Sequence, residues 1–382
     1  MLDRFTANTD VLWGFLVALA VVLVLTPAVG RVARVLGVVD EPDEKRRVHL
    51  LAVPRLGGLA LFLGLFVPAL AFLELTPAYR GILLGAALAT TVGIVDDFRG
   101  LPWWMKLAGQ LGAAGIAVQA GVTIDRFTFP LVGVHALPDW VAVLASLFWI
   151  VAIMNMVNFL DGLDGLAAGV CAIAGGTFAV IALSLGRPNA AVLSAIVAGA
   201  CLGFLRHNFY PARIFMGDSG SRLRGFVLAT VAIEGTLKTA ATVALFLPLF
   251  VLAVPIIDTS FVVARRLKHG ERVFAPDQAH LHHRFIRRGF SQTQTVSYLW
   301  GWCAVLAGAA LATRFIPFRE GGQWHLWPTV AVALVGALAV AASLYLVILL
   351  EIVKLTRLRS WVGQRRAAED EEDEEERGLR SA

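Results

Sequence analysis

Charge is what this chain has least of. Only 16% of its 382 residues are Asp, Glu, Lys or Arg, while 58% are hydrophobic, and the mean hydropathy is +0.72. A soluble domain of that length cannot bury so much apolar surface, so a water-soluble protein is excluded and a polytopic membrane protein is expected. Cysteine is nearly as scarce. Cys171, Cys201 and Cys303 all lie in apolar runs, and their spacing fits neither a disulfide framework nor a zinc site, which leaves them as small packing residues. No internal repeat is visible, and with it the inverted symmetry of many secondary transporters is missing. The first apolar run is followed by no small-residue cleavage pattern, so a cleavable signal peptide is not expected.

What the chain does have is long apolar runs of the roughly 20 residues needed to cross a bilayer. They cover residues 11–33, 56–75, 79–95, 104–120, 138–157, 165–185, 189–205, 223–235, 240–264, 294–313 and 327–353. The eighth is the weakest, being short and carrying Arg224. The expected fold is an all-α polytopic integral membrane protein of about eleven transmembrane helices. A membrane domain over 1–353 precedes a charged tail over 354–382, whose acidic run at 369–376 reads as solvated and disordered. With eleven spans, 26 of the 33 basic residues fall on one side. The positive-inside rule makes that side cytoplasmic, with the N-terminus outside and the tail inside. On the other side, GVTIDRFTFPLVGVHALPDW (121–140) suggests a small hairpin and RFIPFREGGQWHLW an interfacial cap with Trp324 and Trp327.

Ionisable residues beside a bilayer are costly and point to function by default. Five polar clusters interrupt the apolar runs: HLLAVPRLGG (49–58), GIVDDFRGLP (93–102), NMVNFLDGLDGL (155–166), NFYPARIFMGDSGS (208–221) and DQAHLHHR (277–284). All five fall on the cytoplasmic side of the topology above, which basic residues alone set, so they read as one composite active site on the cytoplasmic face. Asp96 and Asp97 end one helix. Asn155, Asn158, Asp161 and Asp164 recur every third residue, and steps of three drift around a 3.6-residue helix, so the four cannot share one narrow face. Gly162 and Gly165 are expected to break the helix, leaving Asp161 and Asp164 at a mobile junction. The glycines around Asp218 in FMGDSGS let backbone N–H groups approach an anion. Carboxylates beside basic side chains suit Mg²⁺, with Mn²⁺ as a substitute, and a phosphorylated substrate. His280, His282 and His283, with Arg284, Arg287, Arg288 and Lys268 nearby, fit an anion-binding loop better than a zinc site, which wants four ligands.

DDFRGLP, NMVNFLDGLDGLAAG, FMGDSGS and HLHHR, in this order, resemble the polyprenyl-phosphate N-acetylhexosamine-1-phosphate transferases. The resemblance runs from about residue 40 to 290. It implies that Asp96 and Asp97 serve the lipid phosphate and the metal region, that Asp218 ligates Mg²⁺ with Asp97 beside it, and that Phe215 stacks on uracil. It also implies that Asn158, Asp161, Asp164 and Asn208 line the nucleotide site, that Lys106, with Gln110 one turn on, is a basic site position, and that His280, His282 and His283 are the histidine motif. Arg55 and Arg284 are further candidates for the substrate's charge. The His-Leu-His-His-Arg form and RRVHLLAVPRLGG are similar to the branch that transfers GlcNAc-1-phosphate. The implied reaction takes a UDP-N-acetylhexosamine donor, UDP-GlcNAc foremost, and a polyprenyl phosphate acceptor, and releases UMP. The implied setting is the bacterial inner membrane, with the bilayer as partner, no nucleic acid, and room for a homodimer. The phospho-MurNAc-pentapeptide branch and, further off, a transporter of an anionic metabolite are the alternatives.

One stretch departs from the family. After GDSGS the chain reads RLRGFVLA, where apolar residues are usual. Arg224 is expected to snorkel to the surface or meet an anionic group, and the start of the eighth helix is left open. Smaller readings complete the set. Asp258 is taken as a partner for an arginine or for polar backbone. Asn155 is either a site group or a partner for the carbonyls of a broken helix. Phe159 is expected in the core.

Overall fold

The structure is a computed structural model, and it describes residues 7–40, 52–129, 133–237, 246–269, 281–317, 319–320 and 323–349. Thirteen α-helices are found among them. Seven are long and apolar enough to cross a membrane: α1 (Thr9–Val35), α3 (Pro77–Arg99), α5 (Asp139–Leu160), α6 (Leu166–Ser184), α7 (Pro188–Asn208), α12 (Gln292–Phe315) and α13 (Leu326–Leu349). With almost no sheet beside them, this is an all-α, multi-pass membrane protein. Shorter helices fill other expected spans: α2 (Gly57–Phe72), α4 (Trp103–Gln119) and α8 (Gly217–Ala232). The run expected at 240–264 is two pieces, α9 (Phe246–Val251) and α10 (Ala253–His269), and α11 (Leu281–Arg287) follows. The tail from 350 and His280 lie outside the described residues.

The eighth helix corrects the expectation most. It begins at Gly217, not 223, and continues through a π-helical stretch, Ile233–Leu237. Every residue of α8 from Ser219 onward is buried. It is the central post of the array, packed against α2, α3, α5, α6 and α7. Its neighbours fit because they lack side chains at the crossing. A Cβ on Gly93 of α3 would stand 2.4 Å from the Ser219 Cα, closer than packed carbon atoms come. At the other extreme, α13 presents most of its surface outward, as a helix facing lipid does.

Three two-stranded sheets lie at the ends of helices. β1 (Val39–Asp40) pairs with β2 (Val53–Pro54), in the register Val39↔Pro54. β3 (Arg126–Phe129) and β4 (Gly133–Ala136) form the antiparallel hairpin expected within 121–140. β5 (Arg319–Glu320) and β6 (Gln323–Trp324) close the loop before α13.

Candidate active site

Chain ends meet at one pole of the array: the last turn of α3, the first turns of α4 and α8, the last turn of α5, and the β2–α2 corner. The Phe215 N–H donates to the Pro54 carbonyl at 2.8 Å, and Gly57 and Gly58 donate to the Phe215 and Met216 carbonyls at 2.9 and 2.8 Å. These bonds anchor the segment before α8. Gly217 then takes φ +70°, a left-handed conformation that glycine adopts at no steric cost, and the helix starts.

Asp97 meets that helix start. Its Oδ1 accepts the Asp218 N–H at 2.7 Å, and its Oδ2 accepts the Ser219 N–H at 3.1 Å and the Ser219 hydroxyl at 2.7 Å. The first N–H groups of a helix have no partner inside it. Here a carboxylate from another helix supplies one, with the favourable sign for a helix N-terminus. Asp97 therefore fixes the direction in which Asp218 leaves α8.

Asp96, one residue earlier, faces charge. Its side chain is 2% exposed, and Oδ2 lies 2.6 Å from Lys106 Nζ and 2.8 Å from Arg222 Nη2. Oδ1 accepts the Leu101 N–H at 2.7 Å, which fixes the turn between α3 and α4. The same Arg222 Nη2 reaches Asp218 Oδ2 at 2.8 Å, and Lys106 reaches it at 3.3 Å. Asn158 completes the group, donating to Asp218 Oδ1 at 2.9 Å and to the Ser221 hydroxyl at 2.7 Å. Two aspartates and two cations thus share one network, with Asp218 and Lys106 as its open side, 25% and 31% exposed.

The other candidates divide. Asp161 follows α5 and is partly buried. Burial pushes its carboxyl up to about 7, against the pull of Arg224 and Arg55 and with the push of Asp218 and Asp97. Asp164 and Asn208 are directed at backbone. Asp164 Oδ2 accepts the Ala212 N–H at 2.8 Å, and Asn208 accepts the Gly165 N–H at 3.1 Å and donates to the Ile214 carbonyl at 3.0 Å. Both are buried, and Asp164 lies in the turn between α5 and α6, the helix-to-loop junction expected at Gly162 and Gly165. His282 is buried with its ring over Gly162, where a Cβ would stand 2.3 Å from Nε2, and it packs on the His283 ring. The histidine segment thereby joins the 155–166 motif. Arg284 lies over the Phe261 ring at 4.5 Å, and Arg55 donates to Asp40 at 3.2 Å. The Phe215 side chain is half-buried.

Residues 79–236 match the family model for glycosyl transferase family 4. The chain is 38% identical over 305 residues to the probable undecaprenyl-phosphate N-acetylglucosaminyl 1-phosphate transferase of Bacillus subtilis strain 168, over 79% of this chain and 85% of that protein. This chain belongs to the polyprenyl-phosphate N-acetylhexosamine-1-phosphate transferases. It is 35% identical over 355 residues to the decaprenyl-phosphate N-acetylglucosaminephosphotransferase of Mycobacterium tuberculosis strain H37Rv, with 85% of each chain covered. It is also 35% identical over 299 residues to the phospho-N-acetylmuramoyl-pentapeptide-transferase of Desulforudis audaxviator, over 70% of this chain and 86% of that one. The protein is thus a sugar-phosphate transferase, and a metabolite transporter is not favoured.

Sequence reasoning on this transferase misses the role of Arg222, which reads as a departure from the family pattern yet joins Asp96 to Asp218. A helix begun at Gly217 places it one turn beyond Asp218, on the same face; that spacing was the available signal. Arg224 does not snorkel; of the two expectations for it, the meeting with an anionic group holds, since it attracts the Asp161 carboxylate. It is buried, its Nε donates to the Gly220 carbonyl at 3.2 Å, and Nη2 meets Met216 Sδ. Phe159, expected in the core, is 38% exposed. Asn155 pairs with Gln110, amide to amide at 2.8 and 3.2 Å, and also donates to the Val151 carbonyl. Asp258 accepts the Leu281 N–H at 2.7 Å, the backbone partner expected.

Among the described residues no three His, Cys, Asp or Glu side chains converge as a preformed metal cage. The donor set does suit a hard cation held mainly by substrate and water. A carboxylate offers about four lone-pair positions. Asn158, Lys106 and Arg222 take three on Asp218, and its exposed edge leaves one open. Asp97 likewise has three positions taken, by the Asp218 and Ser219 N–H groups and the Ser219 hydroxyl, so it supports the start of α8 whether or not its fourth position meets the cation.

Proposed function

We propose that the protein transfers N-acetylglucosamine 1-phosphate from UDP-GlcNAc to a polyprenyl phosphate, undecaprenyl phosphate in the first instance, at the cytoplasmic face of a bacterial inner membrane. The relatives named for GlcNAc-1-phosphate transfer to undecaprenyl and decaprenyl phosphate support this donor and acceptor. The single observation that carries the reading is the Asp96–Lys106–Arg222–Asp218 network with its open side at Asp218 and Lys106.

An oxygen of the lipid phosphate attacks the β-phosphorus of the nucleotide sugar. The bond from that phosphorus to the bridging oxygen breaks, and UMP leaves with the bridging oxygen. Lys106 faces the opening and meets the charge that gathers on the phosphates. Mg²⁺ held by Asp218 would neutralise the diphosphate. Asp97 keeps Asp218 in place through the first turn of α8. Asp96 anchors Lys106 and Arg222. No general base is required, because a phosphate monoester with a second pKa near 6 is largely dianionic at neutral pH. Asp161, Phe215, Arg55, His282, His283 and Arg284 flank the network and bind the uridine and sugar portions. Asp164 and Asn208 hold the loops that carry those groups.

The test is UMP release by purified protein in detergent, with undecaprenyl phosphate, UDP-GlcNAc and Mg²⁺, beside wells holding UDP-MurNAc-pentapeptide or other UDP-sugars. Release that needs both lipid and Mg²⁺ and is fastest with UDP-GlcNAc supports the reading. Release with the pentapeptide donor alone moves the protein to the other branch. Because one phosphoanhydride is broken and one is made, excess UMP drives the reaction backward. A reaction that UMP cannot reverse refutes the single-anhydride exchange.

A further inference from the structure

Arg222 is paired in an unusual way. One nitrogen, Nη2, serves both Asp96 Oδ2 and Asp218 Oδ2 at 2.8 Å each. Nε and Nη1 are buried with no hydrogen-bond partner among the described residues. The side chain is 3% exposed. A guanidinium is costly to bury unless anions face it, so the two carboxylates are what hold this one. Lys106 touches the same two oxygens, but it is partly exposed on a flexible stem and is able to swing aside. Arg222, inside α8 and packed all round, is not.

A cation approaching Asp218 therefore meets a charge that is already there. Asp96, Asp218, Lys106 and Arg222 are neutral together on formal charges. A bare divalent ion adds two charges with no compensation in a poorly solvated place. The same ion arriving with a diphosphate does not.

We propose that Arg222 is a resident counter-ion that pairs Asp96 with Asp218 in the cation-free protein and competes with a divalent cation for Asp218, so that the site accepts a cation–diphosphate complex and discriminates against the bare ion. This rests on the reading that a cation binds at Asp218.

The experiment is Mn²⁺ binding to the full-length protein in detergent, followed by electron paramagnetic resonance, with and without UDP. The wild type binds Mn²⁺ weakly alone and more tightly with UDP. Arg222→Leu binds bare Mn²⁺ about tenfold tighter or more, the scale of one charge-assisted hydrogen bond, and UDP changes its affinity less. Arg222→Lys, which keeps the charge but not the planar fork, falls between the two; it carries the test if the leucine variant does not melt cooperatively. Equal bare-ion affinity in wild type and Arg222 variants, abolished by Asp218→Asn, overturns the role of Arg222 and leaves the cation at Asp218. No Mn²⁺ binding in any protein, with or without UDP, overturns both.

Discussion

Two sets of buried polar residues lie at the same pole and are built in opposite ways. Asp96 and Asp218 meet side-chain cations and form a network with an open edge. Asp164, Asn208 and Asp258 each accept a backbone N–H from another segment of the chain. Both sets answer the same demand, since a polar group buried in an apolar array must be hydrogen-bonded. They differ in what a ligand can do to them. A backbone N–H cannot leave its carboxylate without unfolding a loop, whereas a lysine on a mobile stem can exchange a carboxylate for a phosphate. The first set is suited to chemistry and the second to holding shape.

The sharpest way to break this contrast is to remove charge without removing volume. Asp218→Asn is expected to lower UMP release by about 10³-fold, at the upper end for the loss of one preorganised electrostatic group, with a smaller loss of stability because buried Arg222 keeps Asp96 as a charged partner. A variant that loses stability but not turnover would put Asp218 in the second set. Lys106→Met is expected to cost about 10²-fold in turnover, also with a small change in melting. Steady-state kinetics and thermal denaturation on the same preparation read both.

Asp97 sharpens the contrast because it stands next to Asp96 yet bonds like Asp164. Asp97→Asn keeps an acceptor oxygen and loses the charge at the α8 N-terminus. It is expected to lower stability by about 1 kcal/mol and turnover by about tenfold, because Asp218 is no longer held in one direction. Asp164→Ala leaves the buried Ala212 N–H without its acceptor and is expected to cost about 1–3 kcal/mol of stability, while the folded fraction keeps turnover near that of the wild type. A turnover loss in Asp164→Ala as deep as that in Asp218→Asn, from protein of unchanged stability, would erase the distinction between the sets.

The sequence made the first set easier to read than the second. Asp96, Lys106, Asn158 and Asp218 stand out because charge and amide are rare in apolar runs, and the network joins all four. Asp164 and Asn208 stand out for the same reason and by the same motifs, and yet they hold backbone groups. Composition cannot separate the two uses, because the partner of Asp164 is an N–H 48 residues away, which no local pattern encodes. Arg222 was hidden by a boundary. Hydropathy puts the start of the eighth span at 223, which leaves both Asp218 and its i+4 partner Arg222 in the preceding loop, where a spacing of four carries no meaning. Where helix ends are capped from another helix, as Asp97 caps α8, no cap residue precedes the helix to announce it. The β3–β4 hairpin was legible because its alternation and flanking turn residues are local.

Asp161 belongs to neither set, and this makes a smaller effect measurable. Burial pushes its carboxyl from an ordinary 3.8 to about 7, with Arg224 pulling the other way. A raised carboxyl pKa means that the folded protein holds a proton that the unfolded chain has already released. The contribution of Asp161 to stability is therefore complete below about pH 4 and is lost as the pH climbs through about 7. Melting temperature in detergent without substrate is expected to drift down over that interval, and Asp161→Asn, which never carries the charge, is expected to drift less. Equal slopes would mean that Asp161 is solvated enough to ionise freely and that Arg224, not burial, governs it. The wild-type slope is expected to steepen in Arg224→Met, because Asp218 and Asp97 repel the Asp161 charge and, among the described residues, Arg55 is left to attract it.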